Sequence, residues 1–363
     1  MIPDLDTAIH GLGFARGVPP ASGRLRVTPE DFLVQEIPLV EPAGEGEHVW
    51  LLIRKRQENT GQLARNLARL AGVTQRDVSY AGLKDRNAVT EQWFSVYLPG
   101  GREPEWSSID SASVTLLRSA RHHRKLRRGA LRGNTFRIRI RNIAGDRQEL
   151  ERRLEAAAAG GVPNYFGEQR FGRDGSNLRT AERLFRQSAG RLPREQRVMA
   201  LSAARSFLFN QVLARRIELN NWERALPGEA LQLEGTHSYF TAQQVDETLL
   251  ERLQDGDVHP TGPLYGQGES PATGEALQVE TGSLAPYGAW CHGLIKAGLK
   301  QERRSLRLLL DAPAWSWPGA DCLELAFSLP AGAFATSVLR ELIRYGSQDQ
   351  RCSISAESQR TRG

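Results

Sequence analysis

One acidic side chain of the 363-residue sequence has neighbours that suit a catalytic carboxylate. Asp85 stands between Lys84 and Arg86 in the polar run of residues 82–87. Gly and Asn in this run favour a tight turn, and neighbouring cations stabilise an ionised carboxylate. Such a carboxylate can act as a nucleophile or stabilise a developing positive charge. Asp85 could equally be a turn residue that bonds to nearby backbone, and these residues alone leave both possibilities open.

Basic side chains are concentrated in one part of the chain. The formal net charge is +6, and the segment from Arg118 to Arg141 contains ten Arg or Lys residues and no Asp or Glu. Within residues 133–141, apolar side chains alternate with three arginines, which predicts a strand that packs on one face and is cationic on the other. A solvated basic face would explain the pattern. However, a segment that excludes acids favours phosphate neutralisation, as in nucleic-acid binding.

The residues around Asp85 resemble a family signature. Tyr-Ala-Gly-Leu-Lys-Asp-Arg-Asn-Ala-Val-Thr-Glu-Gln, residues 80–92, closely resembles the pattern Gly-x-Lys-Asp-(Lys/Arg)-x-Ala-Val-Thr-x-Gln of the tRNA pseudouridine synthase D family. Members of that family isomerise a uridine in tRNA to pseudouridine without a cofactor. The resemblance implies that Asp85 is the catalytic nucleophile. Further stretches resemble the same family at residues 29–36, 125–136, 162–172 and 330–337.

The same resemblance implies a set of substrate contacts. Phe32 matches a substrate-contacting phenylalanine, Asn134 matches a substrate ligand, and Phe334 matches an aromatic residue of the substrate pocket. Phe136 falls at an active-site aromatic position and Arg26 where the family carries a basic residue. From its own residue type, Phe32 would instead be a core aromatic. The resemblance further implies a target at uridine 13, particularly of a glutamate tRNA, and a monomeric protein.

Isomerising a uridine places demands on a site. The base must leave its stack, so the site needs a stacking surface and a group that binds the base edge. Phe32 and Phe334 could supply apolar walls, and the amide of Asn134 could hold a polar group of the nucleotide. Three roles stay open for Asp85: it could add to C1′, take the C2′ proton, or add to C6 of the base. Either Arg26 or Lys84 could keep Asp85 ionised.

Two other functions fit parts of the sequence. A non-catalytic RNA-binding protein would use the basic segment and the aromatic residues within 165–171, and its binding would weaken steeply with salt. Such a protein has no reason to retain Lys84 and Asp85 together with Asn134 and Phe334. A metal nuclease is less well supported, because no paired-carboxylate motif stands out.

Strand and helix patterns predict an α+β fold. Asn59 or Thr60 is expected to cap a helix that ends at Gly72, and the strand–helix–strand order around it favours a catalytic core built on a sheet. Further helices are expected over residues 146–159, 177–187, 200–219 and 290–304, and strands over 23–27, 29–36, 48–54, 306–310 and 323–329. Residues 220–287 give no clear pattern.

The domain organisation follows from the family resemblance. It implies a pseudouridine-synthase-like catalytic domain, with a central mixed or antiparallel sheet flanked by helices, and an inserted α/β domain specific to the family. Gly160-Gly161 marks the first boundary. We place the catalytic domain at residues 1–159 and 309–363 and the inserted domain at residues 160–308.

Composition and motifs argue against several other classes. With 40% hydrophobic and 25% charged residues, the chain has the make-up of a globular protein. No apolar run approaches the ~20 residues that span a bilayer, and no signal peptide is recognisable, so a cytoplasmic protein is expected. Cys291, Cys322 and Cys352 are too far apart for a disulfide framework or a Cys-x-x-Cys metal pair. No metal site is predicted, although carboxylate-only sites leave no such sequence mark.

Overall fold

The computed structural model describes residues 11–100, 103–186, 190 and 192–346. The strands in this part of the chain are β1 (Ser22–Leu25), β2 (Phe32–Pro38), β3 (His48–Arg56), β4 (Val78–Tyr80), β5 (Val89–Tyr97), β6 (Val114–His122), β7 (Leu131–Ala144), β8 (Val162–Pro163), β9 (Glu229–Leu233), β10 (Tyr239–Ala242), β11 (Val258–Leu264), β12 (Glu302–Ser305), β13 (Arg307–Leu308), β14 (Asp311–Gly319) and β15 (Cys322–Pro330). The α-helices are α1 (Thr60–Ala71), α2 (Arg147–Gly160), α3 (Ser176–Phe185), α4 (Arg194–Glu218), α5 (Glu247–Gln254), α6 (Gly274–Leu284), α7 (Gly288–Lys296) and α8 (Ala335–Leu342). None of these helices combines the length and apolar character needed to cross a membrane.

Nine strands form one mixed sheet. Its main path runs β14, β15, β7, β2, β5, β3, β6, with β1 paired to β7 and β4 paired to β5. The β2–β5 pair is parallel, whereas β2–β7, β3–β5 and β15–β7 are antiparallel. At 14 residues β7 is long enough to pair with β1, β2 and β15. The predicted α+β class with a central mixed sheet flanked by helices is confirmed.

Helix α1 packs on this sheet through a short apolar stripe. Of the two predicted caps, Asn59 is the one that caps its first turn, by accepting a hydrogen bond from a backbone amide, and Gly72 ends the helix, as predicted, with a left-handed φ of 66°. Leu63 and Leu67 lie in the same buried cluster as Phe94 of β5. Burial of the stripe fixes the first turn of α1 against β5.

The chain forms two compact units, which we name by their content. The sheet unit contains residues 20–147, 310–332 and 343–346, including the nine-stranded sheet. The helical unit contains residues 11–19, 148–309 and 333–342, with α4 at the centre of its core and a four-stranded sheet of β10, β9, β11 and β12. That residues 1–159 with 309–363 act as a catalytic domain, and 160–308 as an inserted one, stays a prediction.

Two predicted elements near the end of the chain are wrong. The helix expected over residues 290–304 ends at Lys296; Gly298 then takes a left-handed φ of 80°, and β12 follows and pairs with β11. The strand expected over 306–310 is only the two-residue β13. The unpredicted β14 contains Pro313 and Pro318, which are tolerated because β14 is at the edge of its sheet.

Candidate active site

The turn that carries Asp85 joins β4 to β5 and is anchored to buried side chains. The carbonyl of Gly82 accepts a hydrogen bond from the Gln92 amide. The Gln92 carbonyl oxygen accepts one from the Thr60 hydroxyl (3.2 Å), which itself accepts the backbone N–H of Lys84 (3.4 Å). Gln92 and Thr60 are buried. The position of the turn is therefore set by α1 and β5.

Asp85 is paired with Arg26 and remains accessible. Arg26 Nη2 lies 2.8 Å from Asp85 Oδ2, and the side chains are 12% and 41% exposed, respectively. The arginine therefore binds one carboxylate oxygen while a large part of the Asp85 side chain faces solvent. Of the two cations that the sequence left open as partners of Asp85, Arg26 makes this contact.

The backbone that presents Arg26 is held in an uncommon conformation. Arg26 has a φ of 54°, a left-handed value that costs energy for a residue with a side chain. A few residues later, the buried Asp31 accepts the backbone N–H of Thr28 (3.0 Å) and pairs with Arg141 at 2.8 Å. These bonds fix the segment between β1 and β2, so the strained residue is supported by its surroundings.

An aromatic stack supports the Arg26 side chain. The Arg26 guanidinium carbon lies 4.2 Å from the centroid of the Phe32 ring. Phe32 meets Phe136 edge-on at 6.2 Å, and Phe136 lies 5.6 Å from Phe327. Phe32 and Phe136 are only 3% and 7% exposed. Phe32 thus packs under Arg26; its predicted contact with a substrate stays a prediction.

Asn134 is joined to the Asp85 turn through Lys84. Lys84 Nζ donates a hydrogen bond to Asn134 Oδ1 at 2.7 Å and lies 2.8 Å from Glu36 Oε2. Glu36 and Asn134 are directly opposite each other on β2 and β7. Sequence reasoning did not single out Glu36. The alternation of β2 places this carboxylate on the buried face of the strand, and that position could have marked it as a candidate site residue. Burial raises the pKa of Glu36, and Lys84 opposes that change.

Lys55 is a second charged residue that sequence reasoning missed. It lies on β3, is 1% exposed, and donates a hydrogen bond to the Glu58 carbonyl at 2.9 Å. Burial lowers the pKa of Lys55 to about 8, and the charges of Asp85 and Glu58 oppose the shift. A buried ammonium therefore contributes to the electrostatic field at Asp85.

Phe334, the remaining predicted site residue, belongs to the helical unit. Its ring lies 6.1 Å from that of Phe166, and the guanidinium of Arg170 lies 5.9 Å from its centroid. Asp85, Phe32 and Asn134 are all in the sheet unit. That Phe334 shares a substrate pocket with them stays a prediction.

The basic segment is partly neutralised by acids from elsewhere in the chain. Four of its ten cationic residues form ion pairs with acids in the described part of the chain: Arg118 with Glu41, Arg121 with Glu103, Arg139 with Glu324, and Arg141 with Asp31. As predicted, β7 buries its apolar side chains on one face. These four arginines are therefore less available to phosphates, and phosphate binding by the segment stays a prediction. The loop between β6 and β7, with Arg124, Arg127 and Arg128, is the better candidate for that role.

The pKa of Lys55 leads to a prediction about stability. A lysine in an unfolded chain has a pKa of about 10.4, so between pH 8 and 10 the unfolded state binds this proton more tightly than the folded state. The free energy of unfolding should therefore rise with pH across this window, by up to about 3 kcal/mol from this residue. Urea denaturation at pH 7.5 and pH 10 measures the change in wild type and in Lys55→Met.

The rise with pH should be smaller in Lys55→Met than in wild type, because methionine has no proton to lose. Lys296→Met, at an exposed position of α7, serves as the control and should match wild type. An identical pH dependence in all three proteins would contradict the assignment.

Among the described residues, no group of three or more His, Cys, Asp or Glu side chains is arranged to hold a metal ion. Cys291 and Cys322 are free thiols, and Cys352 lies outside the described residues.

Known proteins resemble this chain over most of its length. The family model described as tRNA pseudouridine synthase D (TruD) matches residues 11–179 and 175–342. A tRNA pseudouridine synthase D of Nitrosococcus oceani is 53% identical over 338 residues, which cover 92% of this chain and 94% of the relative. That of Methylococcus capsulatus is 48% identical over 334 residues, again 92% and 94% of the two chains.

A solved structure agrees with these sequence matches. A Methanosarcina mazei protein, solved as a candidate tRNA pseudouridine synthase D, superimposes with a TM-score of 0.72 at 26% identity, covering 93% of this chain and 97% of that one. The sequence matches and the structural match therefore indicate the same family as the signature around Asp85. The chain belongs to the tRNA pseudouridine synthase D family.

Proposed function

We propose that this protein isomerises a uridine of tRNA to pseudouridine, with Asp85 as the catalytic nucleophile and without a cofactor. The observation that carries the proposal is the Asp85–Arg26 pair in the family's signature turn. There an accessible carboxylate is held by one arginine, and the turn is anchored by buried side chains. Family membership supports the reaction, and this geometry supports the residue.

The reaction is an isomerisation in which all atoms are conserved. The C1′–N1 bond breaks, the base rotates, C1′ bonds to C5, the C5 proton is lost, and N1 gains a proton. Asp85 could add to C1′, take the C2′ proton, or add to C6. A retaining glycosidase needs a second carboxyl group as acid and base. Here Glu36 is buried and paired with Lys84, so it is not available as a second catalytic carboxyl group. This arrangement suits an isomerase, which keeps the uracil leaving group bound.

The remaining site residues have roles in this proposal. Asn134 binds a polar group of the nucleotide, and Phe32 and Phe334 form walls of the pocket. The loop of Arg124, Arg127 and Arg128 neutralises tRNA phosphates. Residues 1–159 and 309–363 form the catalytic domain, and residues 160–308 form the inserted domain. A monomer acting in the cytoplasm is part of the same proposal.

The proposed target is uridine 13 of tRNA, particularly glutamate tRNA. The test is to map pseudouridine by carbodiimide treatment and primer extension on tRNA from cells that lack this protein. We expect one stop, at position 13, to disappear and to return when the wild-type gene is restored.

A stop lost at a different uridine would overturn the position and leave the reaction in place. An unchanged map would contradict the reaction itself. In that case the basic loop would be a surface for RNA binding without chemistry, and binding that weakens steeply with salt would support that alternative.

A further inference from the structure

The ammonium of Lys84 makes two contacts that do not involve Asp85. It donates to Asn134 Oδ1 at 2.7 Å and lies 2.8 Å from Glu36 Oε2. The Lys84 and Glu36 side chains are 7% and 1% exposed, so both are held inside the protein. The backbone N–H of Lys84 is also fixed, by the buried Thr60 hydroxyl. Both the backbone N–H and the ammonium group of Lys84 are therefore held in place.

This contact determines which way round the Asn134 amide lies. An ammonium group has only donors, so it can bind the amide only through the carbonyl oxygen. The Nδ2 group, which carries two donor hydrogens, then points away from Lys84. A ligand that reaches Asn134 meets a donor and must supply an acceptor.

Glu36 determines where the ammonium lies. It is opposite Asn134 in the β2–β7 ladder, which places both side chains on the same face of the sheet. Without the Glu36 charge, a buried lysine would lose its ion-pair partner, and its ammonium would be drawn to other acceptors. The alignment of Lys84 with Oδ1 therefore depends on the carboxylate.

We propose that Glu36 and Lys84 are positioning residues that hold Asn134 with its Nδ2 donor facing the nucleotide, so that the site selects a carbonyl oxygen of the target uracil. The inference rests on the proposed function and deepens it. Uracil carries carbonyl oxygens at C2 and C4, whereas cytosine carries an amino donor at C4. If the carbonyl is O4, a cytosine would place a donor against the Asn134 donor.

The test combines protein variants with single-atom changes in the RNA. Three glutamate tRNAs are assembled with uridine, 2-thiouridine or 4-thiouridine at the target position, each labelled with tritium at C5. Sulfur is a weaker acceptor than oxygen. For wild type we expect tritium release, measured as kcat/KM, to fall about three- to tenfold for the thio-RNA whose carbonyl is bound.

The ratio of kcat/KM for the uridine RNA to kcat/KM for that thio-RNA should move toward one in Glu36→Gln and in Lys84→Met, because Asn134 is then free to rotate. It should also fall in Asn134→Asp, which keeps an acceptor for Lys84 but lacks the Nδ2 donor. Glu324→Gln is the control, because Glu324 forms an ion pair with Arg139 on the same sheet, and its ratio should match wild type.

Because each ratio is internal to one protein, partial misfolding of a variant does not change it. A fall in rate by the same factor on all three RNAs would mean that Glu36 and Lys84 are only structural, and would overturn the inference. So would a wild-type enzyme that does not distinguish the three RNAs. A wild-type protein that releases no tritium from the uridine RNA would instead contradict the proposed function.

Discussion

Asp85→Asn is expected to lower the kcat for pseudouridine formation by more than about 10³-fold, because the amide of asparagine is a poor nucleophile and a poor base. Binding of tRNA should survive. Asp85 lies at an accessible turn whose position depends on Gly82, Thr60 and Gln92 rather than on its own carboxylate. Removing one negative charge should leave the affinity unchanged or slightly tighter. Steady-state tritium release at saturating tRNA and filter binding measure the two effects separately.

Glu41→Gln is the matched control for Asp85→Asn. Glu41 is also an exposed carboxylate in the sheet unit, and it pairs with Arg118 at 2.8 Å, the same distance as Asp85 from Arg26. Its loss should leave kcat within about twofold of wild type, as for most surface changes. Near-normal turnover in Asp85→Asn would refute the assignment of Asp85 as the catalytic nucleophile. Parallel losses of turnover and binding would show that Asp85 acts in RNA binding.

Local sequence patterns predicted helix α1 and the turn that carries Asp85. The cap at Asn59 and the left-handed Gly72 bound α1 as expected, because each depends on a few neighbouring residues. The edge strand β14 was missed, since two prolines argue against a strand unless its place in the sheet is known.

The partners of the charged residues could not be predicted in the same way. Arg26 and Lys84 were equally suited to Asp85 by residue type, and only the fold brings residue 26 to it while directing Lys84 to Asn134 and Glu36. The basic segment shows the same limit. It contains no acids of its own, but strands and loops distant in sequence place acids beside four of its arginines.

The helical unit contains an ion pair whose loss should strongly affect stability. Arg216 of α4 and Glu229 of β9 are 2% and 0% exposed, and Arg216 Nη1 lies 2.8 Å from Glu229 Oε2. Arg216 also donates to the carbonyls of Asn221 and Arg224. Burial raises the pKa of Glu229 and the arginine charge opposes it. Glu229→Leu should lower the free energy of unfolding by about 3–5 kcal/mol, because it leaves a buried guanidinium without its carboxylate.

The double variant Arg216→Met with Glu229→Leu should recover part of that loss, since an apolar pair removes the buried charge as well as its partner. The recovery is incomplete because the carbonyls of Asn221 and Arg224 lose their donor. Glu218→Leu gives the exposed comparison: Glu218 pairs with Arg215 of the same helix at 2.9 Å, with both side chains more than half exposed. Its cost should stay below about 1 kcal/mol. Urea denaturation at pH 7 distinguishes the cases. If Glu229→Leu costs no more than Glu218→Leu, the ion pair does not stabilise the helical unit. If the double variant is no more stable than Glu229→Leu, removing the buried charge does not offset the hydrogen bonds that the carbonyls of Asn221 and Arg224 lose with Arg216.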